Sequence, residues 1–431
     1  MTDPQIIALA VLAGTVGLLV WGRLRSDVVA LSGAALLLVT GVIRPVEVES
    51  AFASPAIIAM ASLFIITHAM EVTGLLGWLI RQAVRLCKRL GALGIWIVIL
   101  LFGGLGSFIN NTPIVVLGAP VVRDVAQSLG LSSKRFLMPL SYVTVLGGCC
   151  TLIGTSTNLI VNDMARAAGQ PAFSMFEITP VGVTVAMAGA VYLFLYGDRK
   201  LASLPDRTED EKPPAHTTDA DDVNPALFPA DRPLRPLEGL ASLLAFVAVV
   251  TAAALGWAPI AASAFAGAVL LILLGVIRAE EAYRGLKPEV LLLIAGMVVI
   301  GLALESTGLA STVTNSLIAG VGSVGPVLAL ILLYCGTMVL TEILSNAAVA
   351  VLATPLAVAL AESLGVDPRP FLVAVMMAGS AAFATPFGYQ TNVLVYEMGR
   401  YRYMDFVRVG LPLNMVTCAA AIPAILIFFP L

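Results

Sequence analysis

The chain is a succession of apolar blocks separated by short polar stretches. Runs long enough to cross about 30 Å of hydrocarbon fall at roughly 5–21, 28–43, 56–76, 136–165, 178–196, 240–257, 261–277, 290–309, 371–398 and 406–428. Those at 136–165 and 371–398 are broken by polar residues. Two further stretches, 93–126 and 327–360, are too long for one span and carry polar residues midway, so each predicts a re-entrant hairpin. The pattern predicts an all-α polytopic membrane protein.

Composition points the same way. Apolar residues make up 59% of the chain and charged residues 12%, about half the charge a soluble globule uses to solvate its surface, which excludes an ordinary cytosolic enzyme. The net charge of -3 leaves no nucleic-acid footprint. Five cysteines without a C-x-x-C pair, beside two histidines, assemble neither a zinc site nor a disulfide framework by spacing. The Cys149-Cys150 pair reads as small membrane filler. Without a basic n-region or A-x-A site, the first apolar run reads as a retained span.

Between residues 198 and 238 the composition changes: 16 charged residues and 7 prolines fall in this stretch, too few apolar groups to order it. It reads as a solvent-exposed, disordered linker between membrane repeats 1–197 and 239–431. The halves are related. Gly41-Val42-Ile43-Arg44 recurs as Gly275-Val276-Ile277-Arg278, Glu71-x-Thr73-Gly74 as Glu305-x-Thr307-Gly308, and Thr157-Asn158 as Thr391-Asn392, each 234 positions on. Asn111 with Pro120 recurs as Asn346 with Pro355 at 235. An offset held over most of the chain marks an internal duplication.

Five spans and one hairpin per repeat invert the second copy relative to the first, the architecture of inverted-repeat secondary transporters. With both hairpins turning back, 21 of the 24 lysines and arginines fall on one side, leaving only Arg44, Arg166 and Arg369 opposite. The positive-inside rule then places the linker in the cytoplasm and both termini outside. The bases Arg81, Arg85, Lys88 and Arg89 among apolar residues of 76–90 fit an amphipathic helix on the cytoplasmic face or a solvated loop.

Four polar clusters interrupt apolar runs: Asn110-Asn111-Thr112-Pro113, Gly154-Thr155-Ser156-Thr157-Asn158, Ser345-Asn346-Ala347-Ala348, and Thr385 through Asn392. One such cluster could be helix capping or packing. Four in two symmetric pairs mark a site, because unwound backbone at membrane depth is tolerated only inside protein or along a wet cavity. Carbonyls and side-chain oxygens there suit a small hard cation, and helix N-termini suit an anion. Glu342 lies one helical turn before Ser345, and either packs the hairpin through hydrogen bonds or holds a cation or proton. Glu71 and Glu305 read as span-end caps and His68 as a packing histidine.

These motifs resemble the divalent anion/sodium symporter family, the citrate-transporter-like permeases of the ion-transporter superfamily. The hairpin tips NNTP and SNAA and the broken stretches TLIGTSTNLIV and ATPFGYQTNVLVY carry the resemblance over nearly the whole membrane part. It is closest to the form lacking regulatory domains in the central loop. The resemblance implies an elevator-type transport domain of hairpins and broken helices on a scaffold, a homodimer, and a bacterial inner-membrane location. It implies substrate contacts from Asn110, Asn111, Thr112, Thr157, Asn158, Ser345, Asn346, Thr391 and Asn392. A first sodium site would use Asn110, Asn111, Gly154, Thr155, Ser156 and Asn158, and a second Ser345, Asn346, Thr385, Gly388 and Asn392. Two residues depart from the family's Ser-Asn-Thr tip: Asn110 stands for the first serine and Ala347 for the second threonine.

The expected function is sodium-coupled symport of a small divalent anion, a dicarboxylate or sulfate, with no cofactor beyond the coupling ions. The alternative is a proton-coupled anion carrier or an oxyanion exporter of the same superfamily, with Glu342 and Ala347 as the discriminating features. No H-E-x-x-H, paired-aspartate or Gly-x-Ser-x-Gly motif falls in a span, so an intramembrane enzyme is not expected.

Overall fold

The apolar blocks become helices because an unpaired backbone amide in hydrocarbon costs several kcal/mol, and a helix pairs all of its own. In a computed structural model, residues 2–21, 24–87, 90–202, 233–308 and 325–431 are described, without the side chains of Val20, Trp21, Ser26, Ala56, 83–87, Leu304 and Glu305. The greater part of the expected linker, Lys88, Arg89 and the Arg85 side chain of the expected amphipathic helix, the Glu305 side chain and the end of the eighth run at Leu309 lie outside them. The described residues contain no strand.

The first repeat begins with α1 (Asp3–Trp21), α2 (Ser26–Val39), the short α3 (Pro45–Phe52), α4 (Pro55–Val72) and α5 (Leu75–Cys87). The expected hairpin is α6 (Ala92–Gly106) and α7 (Asn111–Ser128). The expected broken helix is α8 (Lys134–Gly148) and α9 (Ser156–Ala167). Then α10 (Thr179–Tyr192) runs through a π-helical turn at Leu193–Gly197 into α11 (Asp198–Ala202).

The second repeat follows the same order: α12 (Pro236–Ala254), α13 (Ile260–Leu273), the short α14 (Ala279–Gly285) and α15 (Pro288–Ser306). Its hairpin is α16 (Pro326–Thr341) and α17 (Asn346–Leu364). Its broken helix is α18 (Arg369–Gly379) and α19 (Gln390–Met398), and α20 (Tyr403–Phe428) closes the chain. Even the short connectors match. Glu47 folds back on the Arg44 amide at 2.8 Å and Glu281 on the Arg278 amide at 3.3 Å, capping α3 and α14 in the same way.

The described residues at the two ends of the expected linker include helix: Asp198–Ala202 forms α11, and Pro236–Glu238 open α12. Residues 198–202 stay helical because Asp198 forms an ion pair with Arg135, accepts from Trp96 Nε1 at 3.4 Å, and Leu201 is buried. Among the described residues, five stretches are long and apolar enough to cross a membrane: Pro45–Val72, Thr179–Ala202, Pro236–Ala254, Asn346–Leu364 and Tyr403–Phe428. Several other expected spans form shorter apolar helices, such as Ile260–Leu273. The second arm of the expected hairpin, Asn346–Leu364, is itself long enough to span, so the expectation that it turns back rests on the charge distribution and not on length.

Packing is reciprocal between the halves. α2 lies along α15 while α4 lies along α13, and α7 touches α19 while α9 touches α17. Each hairpin also packs on its own broken helix, α6 on α8 and α16 on α18. The four polar breaks therefore come together at the centre of one body.

Candidate functional site

At each hairpin tip the first polar residue is a helix N-cap. The Asn110 side chain accepts from the Thr112 amide at 3.2 Å and Ser345 Oγ from the Ala348 amide at 3.3 Å, which lets the chain reverse and start a helix at that point. The next residue, Asn111 or Asn346, is buried in the tip.

The first half-site is built on close backbone approach. A Cβ on Gly147 would lie 1.9 Å from Gly103 O, and one on Gly154 would meet Gly148 O at 2.5 Å and Ser107 O at 2.7 Å. Glycines alone let the hairpin and the broken helix meet here. The Thr151 hydroxyl donates to Ser107 O and closes the seam. Asn158 Nδ2 donates to Thr151 O at 2.9 Å and Gly148 O at 3.4 Å, holding the unwound loop. Asn111 Nδ2 donates across to the Tyr389 hydroxyl at 3.3 Å. Both amides thus present their carbonyl oxygens inward, and Asn111 Oδ1 and Asn158 Oδ1 are buried with no hydrogen-bond partner among the described residues.

Thr155 and Ser156 open α9. Thr155 sits in extended backbone at the N-cap without a side-chain cap bond, its hydroxyl 3.4 Å from Thr157 Oγ1. Tyr389 stands in the same extended conformation at the start of α19, 234 residues on. Beside it Thr112 Oγ1 and Gln390 Oε1 are 3.4 Å apart. The tip of the first hairpin therefore meets the second broken helix.

The second half-site has the same frame with different filling. Asn392 Nδ2 donates to Ala382 O at 2.8 Å and Thr385 O at 3.4 Å, as Asn158 does to its own loop. Its Oδ1, however, accepts from Ser141 Oγ at 2.7 Å, and Ser141 also lies 2.8 Å from Thr391 Oγ1. Asn346 Oδ1 faces the Thr341 hydroxyl at 2.8 Å.

Glu342 caps the end of α16 and turns its carboxylate into the second broken loop. Its Oε1 accepts from the amides of Phe383 at 2.9 Å and Ala384 at 2.8 Å and from Asn414 Nδ2 at 2.7 Å; its Oε2 accepts from the Thr385 amide and hydroxyl, both at 2.9 Å. These amides are free because α18 stops at Gly379, whereas in the first repeat Cys149 and Cys150 donate to Leu146 O and Gly147 O within the last helical turn. Gly388 packs against the Glu342 carboxylate, its amide donating to Thr385 Oγ1 at 3.1 Å.

Sequence reasoning missed Ser141, Thr341 and Asn414. The last was within reach as a lone amide in the final apolar run, whereas the two hydroxyls resemble ordinary helix-interior residues. His68 and Glu71 pair with each other at 3.3 Å, away from these clusters. Among the described residues no group of three or more His, Cys, Asp or Glu side chains is placed to hold a metal.

Comparison with known proteins agrees with this architecture. The chain is 25% identical to an uncharacterised transporter of Synechocystis, sll0640, over 99% of this chain and 98% of that one. It is likewise 25% identical to the uncharacterised transporter YfbS of Escherichia coli K12 over the full length of both. A segment covering 34% of the chain is 36% identical to sodium/sulfate cotransporter 1 of Chlamydomonas reinhardtii, covering 17% of that protein. The fold superposes on the crystal structure of the Alcanivorax borkumensis YdaH transporter with a TM-score of 0.64, at 14% identity over 96% of this chain and 98% of that one. The family described as citrate transporter matches residues 16–370, which hold both hairpins and the first broken helix. The chain is a multi-pass membrane transporter, not an enzyme, and it belongs to the citrate transporter family.

Proposed function

We propose that the protein couples sodium to the movement of a small divalent anion, a dicarboxylate or sulfate. The observation that carries this reading is the pair of buried, unpartnered carbonyl oxygens, Asn111 Oδ1 and Asn158 Oδ1, beside the backbone oxygens of Ser107, Gly148 and Gly154. A buried acceptor left unpaired costs about 1–3 kcal/mol, and a sodium ion is the small hard cation such an oxygen set offsets. The relatives named as sodium/sulfate cotransporters support the same choice of ion and anion.

No lysine or arginine lies within the four clusters. The anion is held by the N-termini of α7, α9, α17 and α19, among the neutral polar residues Asn110, Asn111, Thr112, Thr157, Asn158, Ser345, Asn346, Thr391 and Asn392, and by co-bound cation, so binding of the two is linked. Hairpins and broken helices move as an elevator against the remaining helices in a homodimer of inverted repeats. The linker is cytoplasmic and the termini lie outside.

The test is anion binding by the purified protein, followed by thermal shift with sulfate, succinate and citrate in sodium or choline. One of them stabilises the protein at least about tenfold more tightly in sodium, a coupling of about 1.4 kcal/mol. Stabilisation indifferent to sodium but lost as pH rises favours the proton-coupled carrier.

A further inference from the structure

The two half-sites share a backbone frame but not their free oxygens. In the first repeat the residue facing the Asn111 oxygen is Gly106, whose added Cβ would lie 3.1 Å from it, so nothing donates. The matching residue of the second repeat is Thr341, and its hydroxyl sits 2.8 Å from Asn346 Oδ1. The second difference has the same sign. Ser141 on α8 donates to Asn392 Oδ1, while the matching stretch of α18, Phe371 to Ala378, reads FLVAVMMA and offers no hydroxyl to Asn158.

The Glu342 carboxylate does not restore the lost acceptors. Five donors converge on it, and two carboxylate oxygens carry about four lone-pair sites. No lone pair remains for a cation. Within the tip itself, residues 341–348, the buried side-chain group without a partner is Asn346 Nδ2, a donor, which repels one; Thr337 Oγ1, a turn earlier on α16, and Ser380 Oγ, just after α18, are buried without a partner as well. Asn414 Oδ1 is also unpartnered; it belongs to α20, which reaches this half-site through the bond from Asn414 Nδ2 to Glu342, and not to the hairpin tip or the broken loop.

We infer that sodium is bound at the first half-site only, and that in the second the hydroxyls of Ser141 and Thr341 stand where a second ion would be coordinated. This rests on the sodium-coupled reading above and deepens it: the duplicated frame supplies one cation site and one internally closed copy. Asn346, Asn392, Thr385, Gly388 and Ser345 then serve the anion. With the Asn346 amide turned end for end, Thr341 would donate to Gly379 O, also 2.8 Å away, and free the Asn346 oxygen. That orientation predicts two ions.

Equilibrium binding of radioactive sodium to the full-length protein in nanodiscs, with sulfate or succinate present, separates the two. The expected result is one ion per chain with a Hill coefficient near one, zero ions in Asn158→Ala, and one ion still in Asn392→Ala. Thr341→Val combined with Ser141→Ala unmasks both second-site oxygens and raises the count to two. Two ions in the unmodified protein, falling to one in Asn392→Ala, overturn the inference and leave sodium coupling standing. No sodium bound at all overturns both. If the double variant fails to fold, the count for the unmodified protein decides alone.

Discussion

Asn111 Nδ2 donates to the Tyr389 hydroxyl at 3.3 Å, so the tip of one hairpin is held by a residue 278 positions away in the other half of the chain. This bond orients the Asn111 amide and turns its oxygen toward the first broken loop. Tyr389→Phe keeps the ring and removes the acceptor. The half-saturating sodium concentration for uptake should rise about tenfold, the cost of about 1.4 kcal/mol for a buried donor left unpaired. Uptake measured against a sodium titration, with protein yield unchanged, checks it.

Asn111→Ala and Asn158→Ala should each abolish uptake while leaving expression intact. Each removes one of the two unpartnered buried oxygens without emptying the apolar core. Reconstituted proteoliposomes give the measurement, and normal transport by both variants would sink the site assignment.

Glu342→Gln should lower thermal stability by about 1–3 kcal/mol. An amide nitrogen in place of one carboxylate oxygen faces amide or hydroxyl donors and loses their bonds. The melting temperature of the purified variant reports the loss. Unchanged melting with a displaced pH or ion dependence of uptake would instead make Glu342 a coupling group.

Gly147→Ala should yield no folded protein, since its methyl group would sit 1.9 Å from the carbonyl oxygen of Gly103. Gly104→Ala, where nothing lies within 4 Å of the new atom, should be tolerated. The fraction eluting as a single species from size-exclusion chromatography distinguishes them.

The helices and both breaks were legible because hydrocarbon enforces a simple rule: apolar runs become helices, and polar residues within them mark where helices stop. The 234-residue offset carried further, down to the paired caps at Arg44 and Arg278. What sequence could not reveal was which oxygens stay free. Asn158 and Asn392 look identical in their motifs, and they differ only because Ser141, on α8 of the other repeat, reaches Asn392. Glu342 was legible as an oddity, but its partners depend on α18 ending a turn early, which no local preference announces. The helix at 198–202 was not legible because Asp198 looks solvated until Arg135 and Trp96 are found beside it.

The crosswise packing of α2 on α15 and of α4 on α13 has a consequence for biosynthesis. As the ribosome works from the N-terminus, α2 and α4 enter the bilayer more than two hundred residues before the helices that will cover them. Until then their inner faces meet lipid or the insertion machinery. The nascent first half is thus an unfinished clasp, and a chain cut within the linker should assemble only when both fragments are made in the same membrane.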